Sequence, residues 1–178
     1  EKAAARLEGS KVHSKNFMRR HGIPTADYEY FADYSLALNY VKKCSFPLVI
    51  KADGLALGKG VFICHSLSDA EAALKKLMLD GVFGESGSVV VVEEFLTGRE
   101  VTVLAFTDGK TIKCMPSSQD HKRAYDGDEG PNTGGMGAFA PSPYFTPELF
   151  AEAEKNIIIP TLKGLKADGI KYKGVIYF

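Results

Sequence analysis

Residues 51–60, KADGLALGKG, combine residue types that can bind a phosphate group. Glycines weaken helices and strands alike, but glycine-rich backbone N–H groups can converge on an anion because no Cβ blocks its approach. Lys51 and Lys59 would add point charges suited to phosphate oxygens. The spacing is one residue short of a Walker loop, and a strand is predicted to follow Gly60 rather than a helix. The pattern indicates a strand–loop–strand flap over a triphosphate, or alternatively a plain β-turn with solvated lysines.

A second candidate group follows the apolar run SVVVVEEF. A purine needs an apolar slot with backbone donors and acceptors at its edge, which residues 93–96 could supply. A ribose suits a carboxylate that accepts from its two hydroxyls, and Glu100 could be that carboxylate. The same pattern is also typical of a solvated strand end, so both interpretations stay open at this point.

The composition restricts the class of protein. Lys plus Arg and Asp plus Glu number 22 each among 178 residues, so no net charge favours nucleic acid or a membrane surface. No apolar run approaches the roughly 20 residues of a membrane span. Cys44, Cys64 and Cys114 are widely spaced without a CxxC pair, which argues for a reducing compartment and against a disulfide framework or a zinc site. We therefore expect a cytoplasmic globular protein that binds neither nucleic acid nor membrane.

Helix and strand patterns alternate in the first half of the chain. Ser10 is predicted to cap a helix that ends at Gly22. FPLVI and VFICH are predicted strands on either side of the glycine-rich loop. SDAE predicts a capping box with Ser68 as N-cap and Glu71 reaching back, in front of an amphipathic helix that ends at Gly81. SVVVVEEF predicts a strand that is buried on both faces.

The second half is predicted to contain a hairpin, a long loop and a helix. EVTVLAFTDGKTIKCM is typical of two strands joined by a two-residue turn at Asp108–Gly109. Residues 116–143 look loop-like, and Thr146–Pro147 predicts the start of a helix that Pro160 should kink or divide. GVIYF is typical of a buried strand, and with no initiator Met we expect a fragment. The fold class is α/β, of the α+β type with mixed sheets.

Several motifs occur in the order found in one enzyme family. GSK, IPTA, VIKADGLALGKGV, VVVEEFLTGRE, SSQDHKR and GPNTGGMGAFAP resemble, in this order, the motifs of phosphoribosylamine–glycine ligases, which belong to the ATP-grasp superfamily. The resemblance extends from about Glu8 to Phe178, and QDHKR with GPNTGGMGA is its most particular part. It implies an ATP-grasp fold with a small flap-bearing subdomain and the first part of a larger subdomain.

The resemblance implies ligation of glycine to 5-phosphoribosylamine at the expense of ATP, in purine biosynthesis. ATP would phosphorylate the glycine carboxylate, and the amine would displace phosphate. Lys11 and Lys51 would neutralise the ATP phosphates, and Gly58, Lys59 and Gly60 would form the flap tip. The residues assigned to ATP are Lys11, Lys51, Gly58, Lys59, Gly60, Glu93, Glu94, Phe95, Leu96 and Glu100.

For the phosphorylated sugar and the reacting groups, the resemblance points to QDHKR and PNTGGMG. Lys122 and Arg123 would be the charged members of a catalytic group that also includes His121. Imidazole titrates near neutrality, but an amine that attacks an acyl phosphate needs no strong base, so we favour binding or positioning for His121. The residues assigned to substrate binding are Gln119, Asp120, Asn132, Thr133, Gly134 and Gly135.

The resemblance also implies parts that this chain lacks. In the family a glutamate and an asparagine bind Mg²⁺ in a later strand, so we expect no metal ligand within this chain and no turnover by it alone. The expected division is 1–27 as leading helix and linker, 28–93 as the small subdomain and 94–178 as the truncated large one, with the parent's other domains as partners. Alternatives are another ATP-grasp carboxylate–amine ligase or carboxylase, or a nucleotide-binding module without chemistry.

Overall fold

The structure, a computed structural model, describes residues 2–56, 59–127 and 129–178, with the backbone alone at Asn132. The chain forms two compact units: residues 2–97, the N-terminal unit, and residues 98–178, the C-terminal unit. No helix within the described ranges is both long and apolar enough to cross a lipid bilayer.

The described residues of the N-terminal unit form four α-helices. They are α1 (Lys2–Gly9), α2 (Lys11–Arg20), α3 (Tyr34–Val41) and α4 (Leu67–Leu74), and a π-helical turn (Lys75–Leu79) continues α4. The predicted cap of α2 is confirmed, because the Ser10 hydroxyl accepts from His13 N at 3.0 Å. A short 3₁₀ helix, Gly84–Gly87, follows the π turn.

The cap predicted for α4 is wrong by two residues. Ser66 rather than Ser68 is the N-cap, and its hydroxyl accepts from Asp69 N at 3.2 Å. The Asp69 carboxylate in turn accepts from His65 N at 3.0 Å, and the Ser66 and His65 donors lower its pKa. The predicted apolar face is confirmed, with Ala70, Ala73, Leu74 and Leu77 buried and Met78 packed against the core.

The four strands described in the N-terminal unit form one antiparallel sheet. They are β1 (Tyr28–Phe31), β2 (Leu48–Ala52), β3 (Val61–Cys64) and β4 (Val90–Glu94), in the order β1-β4-β2-β3. The predicted hairpin around the glycine-rich loop is β2–β3, and β4 is the predicted buried strand. The α+β class is confirmed, and every described strand pair in the chain is antiparallel rather than mixed.

The two faces of this sheet have different partners. One face presents Leu48, Ile50, Ala52, Val90 and Val92 to a core shared with α3 and α4. Because side chains alternate along a strand, Lys51 and Glu93 project from the opposite face. Val49 lies opposite Glu93 in the β2–β4 register, so Lys51 is the diagonal neighbour of Glu93.

Within residues 98–127 and 129–178, the C-terminal unit contains a three-stranded sheet and two small two-stranded sheets. Strands β5 (Leu104–Thr107), β6 (Ile112–Cys114) and β11 (Gly174–Tyr177) pair in the order β11-β5-β6. The region predicted to be loop contains β7 (Gln119–Asp120), paired with β10 (Ala138–Phe139), and β8 (Arg123–Tyr125), paired with β9 (Glu129–Asn132). That prediction was therefore wrong, because these short strands depend on pairing rather than on local periodicity.

The predicted two-residue turn is also wrong. Thr107 pairs with Ile112, which leaves a four-residue loop. The Asp108 carboxylate accepts from Lys110 N at 2.8 Å and from Thr111 N at 2.7 Å, and these donors lower its pKa. The side chain of Asp108 thus organises the turn, and Gly109 adopts a φ of 89° within it.

The last helix is divided as predicted. Thr146 caps α5 (Pro147–Ala153), a π-helical turn (Glu154–Ile158) follows, and α6 (Ile159–Ala167) completes the segment. Pro160 has no N–H to donate to the carbonyl four residues earlier, and its ring clashes with that carbonyl, so the turn before it widens.

The final strand differs from its expected burial. GVIYF predicted a buried strand, but Val175 is 42% exposed and Tyr177 is 69% exposed. In the structure, β11 pairs with β5 at one edge of its sheet.

Candidate functional site

The root of the glycine-rich loop is attached to the N-terminus of α2. Asp53 Oδ1 accepts from Ser10 Oγ at 3.0 Å and from Val12 N at 2.7 Å, and Lys11 N donates to Asp53 O at 3.1 Å. A carboxylate at a helix N-terminus is stabilised by the unsatisfied N–H groups and by the helix dipole. Asp53 therefore fixes the end of β2 relative to α2.

The Lys11 ammonium also binds this root. Lys11 Nζ donates to the carbonyl oxygens of Ala52 at 2.8 Å and Gly54 at 3.1 Å, with Asp53 O at 3.4 Å. Burial lowers the pKa of Lys11, and the nearby Asp53 carboxylate opposes that effect. A lysine predicted to meet phosphate is thus bound in this structure to the backbone that begins the loop.

Lys51 lies beside a buried carboxylate that the sequence predicted as part of a purine edge. Lys51 Nζ is 2.7 Å from Glu93 Oε2, and the Glu93 side chain is 5% exposed. Lys15 Nζ lies 3.4 Å from the same oxygen, and the Lys15 side chain is 9% exposed. Burial lowers the pKa of Lys15, and Glu93 opposes that shift.

Lys15 was missed in the sequence analysis. It lies four residues after Lys11 on α2, and residues four apart on a helix share a face. Any helix that directs Lys11 toward the loop root therefore carries Lys15 toward the same sheet face, which is the signal that could have found it.

At two positions of the loop, close packing leaves room only for glycine. A Cβ at Gly54 would lie 2.6 Å from Ser86 Oγ and 2.9 Å from Ser86 Cα. A Cβ at Gly60 would lie 2.7 Å from Ala56 Cβ, and Gly60 O accepts from Ala52 N at 2.8 Å. Gly60 is buried at the root of the loop, which corrects its expected place at the tip.

The rest of the predicted flap tip is described in part. Lys59 is exposed, and its backbone N donates to Ala56 O at 2.9 Å. Gly58 lies outside the described residues.

The remaining residues of the predicted purine edge continue from β4. Glu94 N donates to Asp27 O at 2.9 Å, and Glu94 Oε2 accepts from Asp27 N at 3.3 Å. Phe95 is half-buried and Leu96 is 62% exposed. The purine-edge assignment itself stays a prediction.

In the C-terminal unit, Glu100 and Lys122 form an ion pair. The hydrogen bond from the Lys122 ammonium to the Glu100 carboxylate raises the pKa of Lys122. The carboxylate predicted for the ribose and a lysine predicted for the substrate are therefore adjacent. Both side chains keep substantial exposure to solvent, at 74% for Glu100 and 38% for Lys122.

The two segments predicted to bind substrate are hydrogen-bonded to each other. His121 N donates to Gly137 O at 2.9 Å, and Met136 N donates to His121 O at 2.7 Å. Lys122 O accepts from Thr133 N at 2.7 Å and from Thr133 Oγ1 at 3.0 Å. The backbone of QDHKR is thus fixed against PNTGGMG over several consecutive residues.

Glycines allow the backbone of PNTGGMG to follow the path that these hydrogen bonds require. Gly135 and Gly137 have φ values of 123° and 152°, which other residues rarely adopt. Gly135 N donates to Thr133 Oγ1 at 3.1 Å. Gly134 has open space around the position of an added Cβ.

The side chains of QDHKR have distinct environments. Arg123 Nη1 donates to Gly130 O at 2.7 Å, and the His121 ring is tilted against Phe139 with centroids 5.1 Å apart. Gln119 Oε1 accepts from the hydroxyl of the buried Ser142 at 3.0 Å, a contact that the sequence analysis missed.

The other residues predicted to bind substrate include two that lie in paired strands. Asp120 is exposed in β7 opposite Ala138, and the backbone of Asn132 pairs with Arg123. Within residues 2–56, 59–127 and 129–178, no group of three or more His, Cys, Asp or Glu side chains is arranged to hold a metal ion.

An antiparallel sheet with a glycine-rich loop at one hairpin and lysines at the loop root is the arrangement of an ATP-grasp domain. The particular family follows from comparison of the sequence with known families. Residues 9–178 match the family described as phosphoribosylglycinamide synthetase, ATP-grasp (A) domain, and the chain belongs to this family. The family predicted from the motifs is thereby confirmed.

Known proteins resemble nearly the whole chain. The chain is 50% identical over 176 residues to the phosphoribosylamine–glycine ligase of Ralstonia nicotianae, covering 99% of the chain and 42% of that protein. It is 49% identical over 174 residues to the bifunctional purine biosynthetic protein ADE1 of Schizosaccharomyces pombe, covering 98% of the chain and 22% of that protein. The solved phosphoribosylamine–glycine ligase of Thermotoga maritima is 40% identical, with a TM-score of 0.85, and the match covers 99% of this chain and 44% of that one. The chain thus spans less than half the length of these relatives.

Proposed function

We propose that this chain is the ATP-binding part of a ligase that joins glycine to 5-phosphoribosylamine. The products would be glycinamide ribonucleotide, ADP and phosphate, as a step of purine biosynthesis. The observation that supports this most directly is 50% identity across 99% of the chain to a protein named phosphoribosylamine–glycine ligase. The motifs that carry the resemblance lie within that matched length.

The reaction needs activation because a carboxylate is a poor electrophile. In the proposed sequence the γ-phosphoryl group moves from ATP to a carboxylate oxygen of glycine, which forms glycyl phosphate and ADP. The amine nitrogen then bonds to the carbonyl carbon while the carbon–oxygen bond to phosphate breaks and the nitrogen loses a proton. The protein has to align these groups and to offset their negative charge.

In the N-terminal unit, the proposed phosphate ligands differ in how far solvent can reach them. The Lys51 side chain is 27% exposed and can turn from Glu93 toward a bound triphosphate. Lys59 is exposed on the loop, while Lys11 fixes the loop root through its carbonyl contacts. We assign Gly58 and Gly60 to the same flap.

The nucleoside is assigned to the residues that follow β4. Residues 93–96 would form the adenine edge, and Glu100 would accept from the ribose hydroxyls. Residues 28–93 would be the small ATP-grasp subdomain, preceded by a leading helix and linker at 1–27 and followed by part of the large subdomain at 94–178.

In the C-terminal unit, we assign the phosphorylated sugar and the reacting groups to QDHKR and PNTGGMG. Lys122 and Arg123 supply positive charge, and His121 has a binding or positioning role. The hydrogen bonds between the two segments support this assignment because they hold the backbone of both in one place. The further substrate contacts would come from Gln119, Asp120, Asn132, Thr133, Gly134 and Gly135.

Phosphoryl transfer of this kind requires Mg²⁺. We propose that its ligands come from outside this chain, that the other partners are the remaining domains of the parent, and that the parent acts in the cytoplasm.

The test follows ADP release by the full-length protein with ATP and Mg²⁺, adding glycine and phosphoribosylamine separately and then together. Release that requires both substrates is the expected result. Release with another carboxylate instead of glycine would indicate a different ATP-grasp enzyme, and ATP binding without release would indicate a nucleotide-binding module.

A matched pair of variants tests the phosphate assignment. Lys51→Ala should weaken ATP binding about 10- to 100-fold, the range expected for loss of a charged hydrogen bond. Lys76→Ala is the control because Lys76 is exposed on the turn that continues α4. Equal effects on the dissociation constant, measured by titration calorimetry, would contradict the assignment.

A further inference from the structure

We propose that Lys15 is a positioning residue that makes Lys51 available to ATP by sharing the charge of Glu93. The inference rests on the proposed function, and it concerns a residue that lies outside the motifs shared with phosphoribosylamine–glycine ligases. Lys15 would act through Glu93 and Lys51, without touching the nucleotide.

The geometry is a single buried carboxylate oxygen between two ammonium groups. Glu93 Oε2 lies 2.7 Å from Lys51 Nζ and 3.4 Å from Lys15 Nζ. Glu93 reaches this position because β4 is central in the sheet and its alternation directs residue 93 away from the α3–α4 core. Lys15 reaches it from α2.

The two lysines differ in their freedom to leave the carboxylate. Lys15 Nζ also donates to Thr25 Oγ1 at 2.8 Å and to Ala26 O at 3.0 Å, so its three N–H groups have three acceptors. Its side chain is 9% exposed, against 27% for Lys51. Lys15 is therefore the fixed partner of Glu93, and Lys51 is the partner that can move.

The charges explain why a fixed partner matters. A buried carboxylate that loses its cation is strongly destabilising, because water no longer solvates it. If Lys51 were the sole cation at Glu93, turning toward a phosphate would leave the carboxylate uncompensated. With Lys15 in place, Lys51 can leave Glu93 while one positive charge stays beside the carboxylate.

Lys11 and Asp53 are the neighbouring charged groups on the same side. Burial lowers the pKa of Lys11, the Asp53 and Glu93 carboxylates oppose that shift, and the Lys51 ammonium adds to it. Lys11 is bound to the carbonyls of the loop root, so the shared carboxylate is specific to Lys15 and Lys51 among the described ion pairs.

The experiment is a double-mutant cycle on ATP affinity, measured by titration calorimetry with the full-length protein. Lys15→Met should raise the dissociation constant for ATP about tenfold, because a charged hydrogen bond to phosphate is weakened. In the Lys51→Met background the same change should have no further effect. Lys43→Met, at an exposed position, is the control for lysine removal.

Two further variants separate charge from packing. Lys15→Arg keeps the positive charge and should restore affinity to within about threefold of wild type. Lys15→Gln keeps hydrogen-bonding capacity for Thr25 and Ala26 but removes the charge, so it should weaken binding as Lys15→Met does. The glutamine variant also serves if Lys15→Met does not fold.

The outcomes distinguish the possibilities. Unchanged affinity in Lys15→Met and Lys15→Gln, or an equal loss with and without Lys51, would overturn the positioning role. In either case wild-type protein that binds ATP and releases ADP would leave the proposed function intact. Wild-type protein that binds no ATP would contradict the proposed function, and this inference with it.

Discussion

Gly54→Ala should destabilise the N-terminal unit although it adds a single methyl group. The added carbon would lie 2.6 Å from Ser86 Oγ, 2.8 Å from Ser86 Cβ and 2.9 Å from Ser86 Cα. The backbone cannot move apart easily, because Gly54 N donates to Ser86 O and Ser86 Oγ donates to Leu55 O. Overpacking of this kind costs about 1–3 kcal/mol, and the lower entropy of unfolded alanine offsets about 0.4–1 kcal/mol of it.

The assay is urea unfolding of the variant beside Gly9→Ala. Gly9 ends α1, has a negative φ and has no atom within 4 Å of an added Cβ, so its change to Ala should be neutral or slightly stabilising. We expect the free energy of unfolding of Gly54→Ala to be about 1–2 kcal/mol below wild type.

A second change at Ser86 identifies the clash as the cause. Ser86→Gly removes two of the three close atoms, so Gly54→Ala/Ser86→Gly should be more stable than the sum of the single effects by about 1 kcal/mol. The reasoning would be refuted if Gly54→Ala and Gly9→Ala had the same urea midpoint, or if the two changes were strictly additive.

Two further predictions concern α4 and the core. Ser66→Ala should lower the free energy of unfolding by about 1 kcal/mol, because Asp69 N loses its acceptor. Ser68→Ala should change it by a few tenths of a kcal/mol at most. Similar losses of stability for the two variants in urea unfolding would contradict the observed cap. Burial raises the pKa of the Cys64 thiol from 9.0 to about 11. The unfolded thiol therefore ionises first, and stability should fall by roughly 2–3 kcal/mol as pH rises from about 9 to about 11. Cys64→Ala should remove this loss of stability between about pH 9 and pH 11. The prediction would be disproved if the free energy of unfolding fell in parallel with pH for the variant and the wild type.

The sequence predicted those elements whose pattern is local. The hairpin around the glycine-rich loop and the buried strand that ends at Glu93 follow from apolar runs and flanking glycines. The cap of α4 failed because Ser66 and Ser68 both precede an acidic residue by three positions. The choice between them depends on where β3 ends, since His65 N donates to Asp69.

Other features depend on contacts between distant residues. Asp108–Gly109 favours a two-residue turn by composition, but the Asp108 carboxylate binds two later amides and extends the loop. The two-residue strand at 119–120 forms because it meets 138–139, and a strand that short has no periodicity to detect.

In the candidate site, too, the contacts between distant residues could not be predicted from the sequence. Lys51 and Glu93 were predicted separately, one for phosphate and one for the purine edge. Their contact arises from strand register, which spacing along the sequence does not give. The spacing of Lys15 from Lys11 gives the helix face that Lys15 shares, but its contact with Glu93 depends on where α2 packs.

The strand order β1-β4-β2-β3 has a consequence for biosynthesis. The two strands that flank β4 precede it in the chain, with about 60 residues between β1 and β4. On the ribosome, β2 and β3 can form their hairpin early, but β1 pairs with β4 and must wait until residues 90–94 have emerged. Until then β1 and one edge of β2 expose unpaired backbone groups, the kind of edge that promotes association between nascent chains. Completion of the sheet is therefore set by the arrival of its central strand, and a chain arrested before residue 90 would keep these edges unpaired.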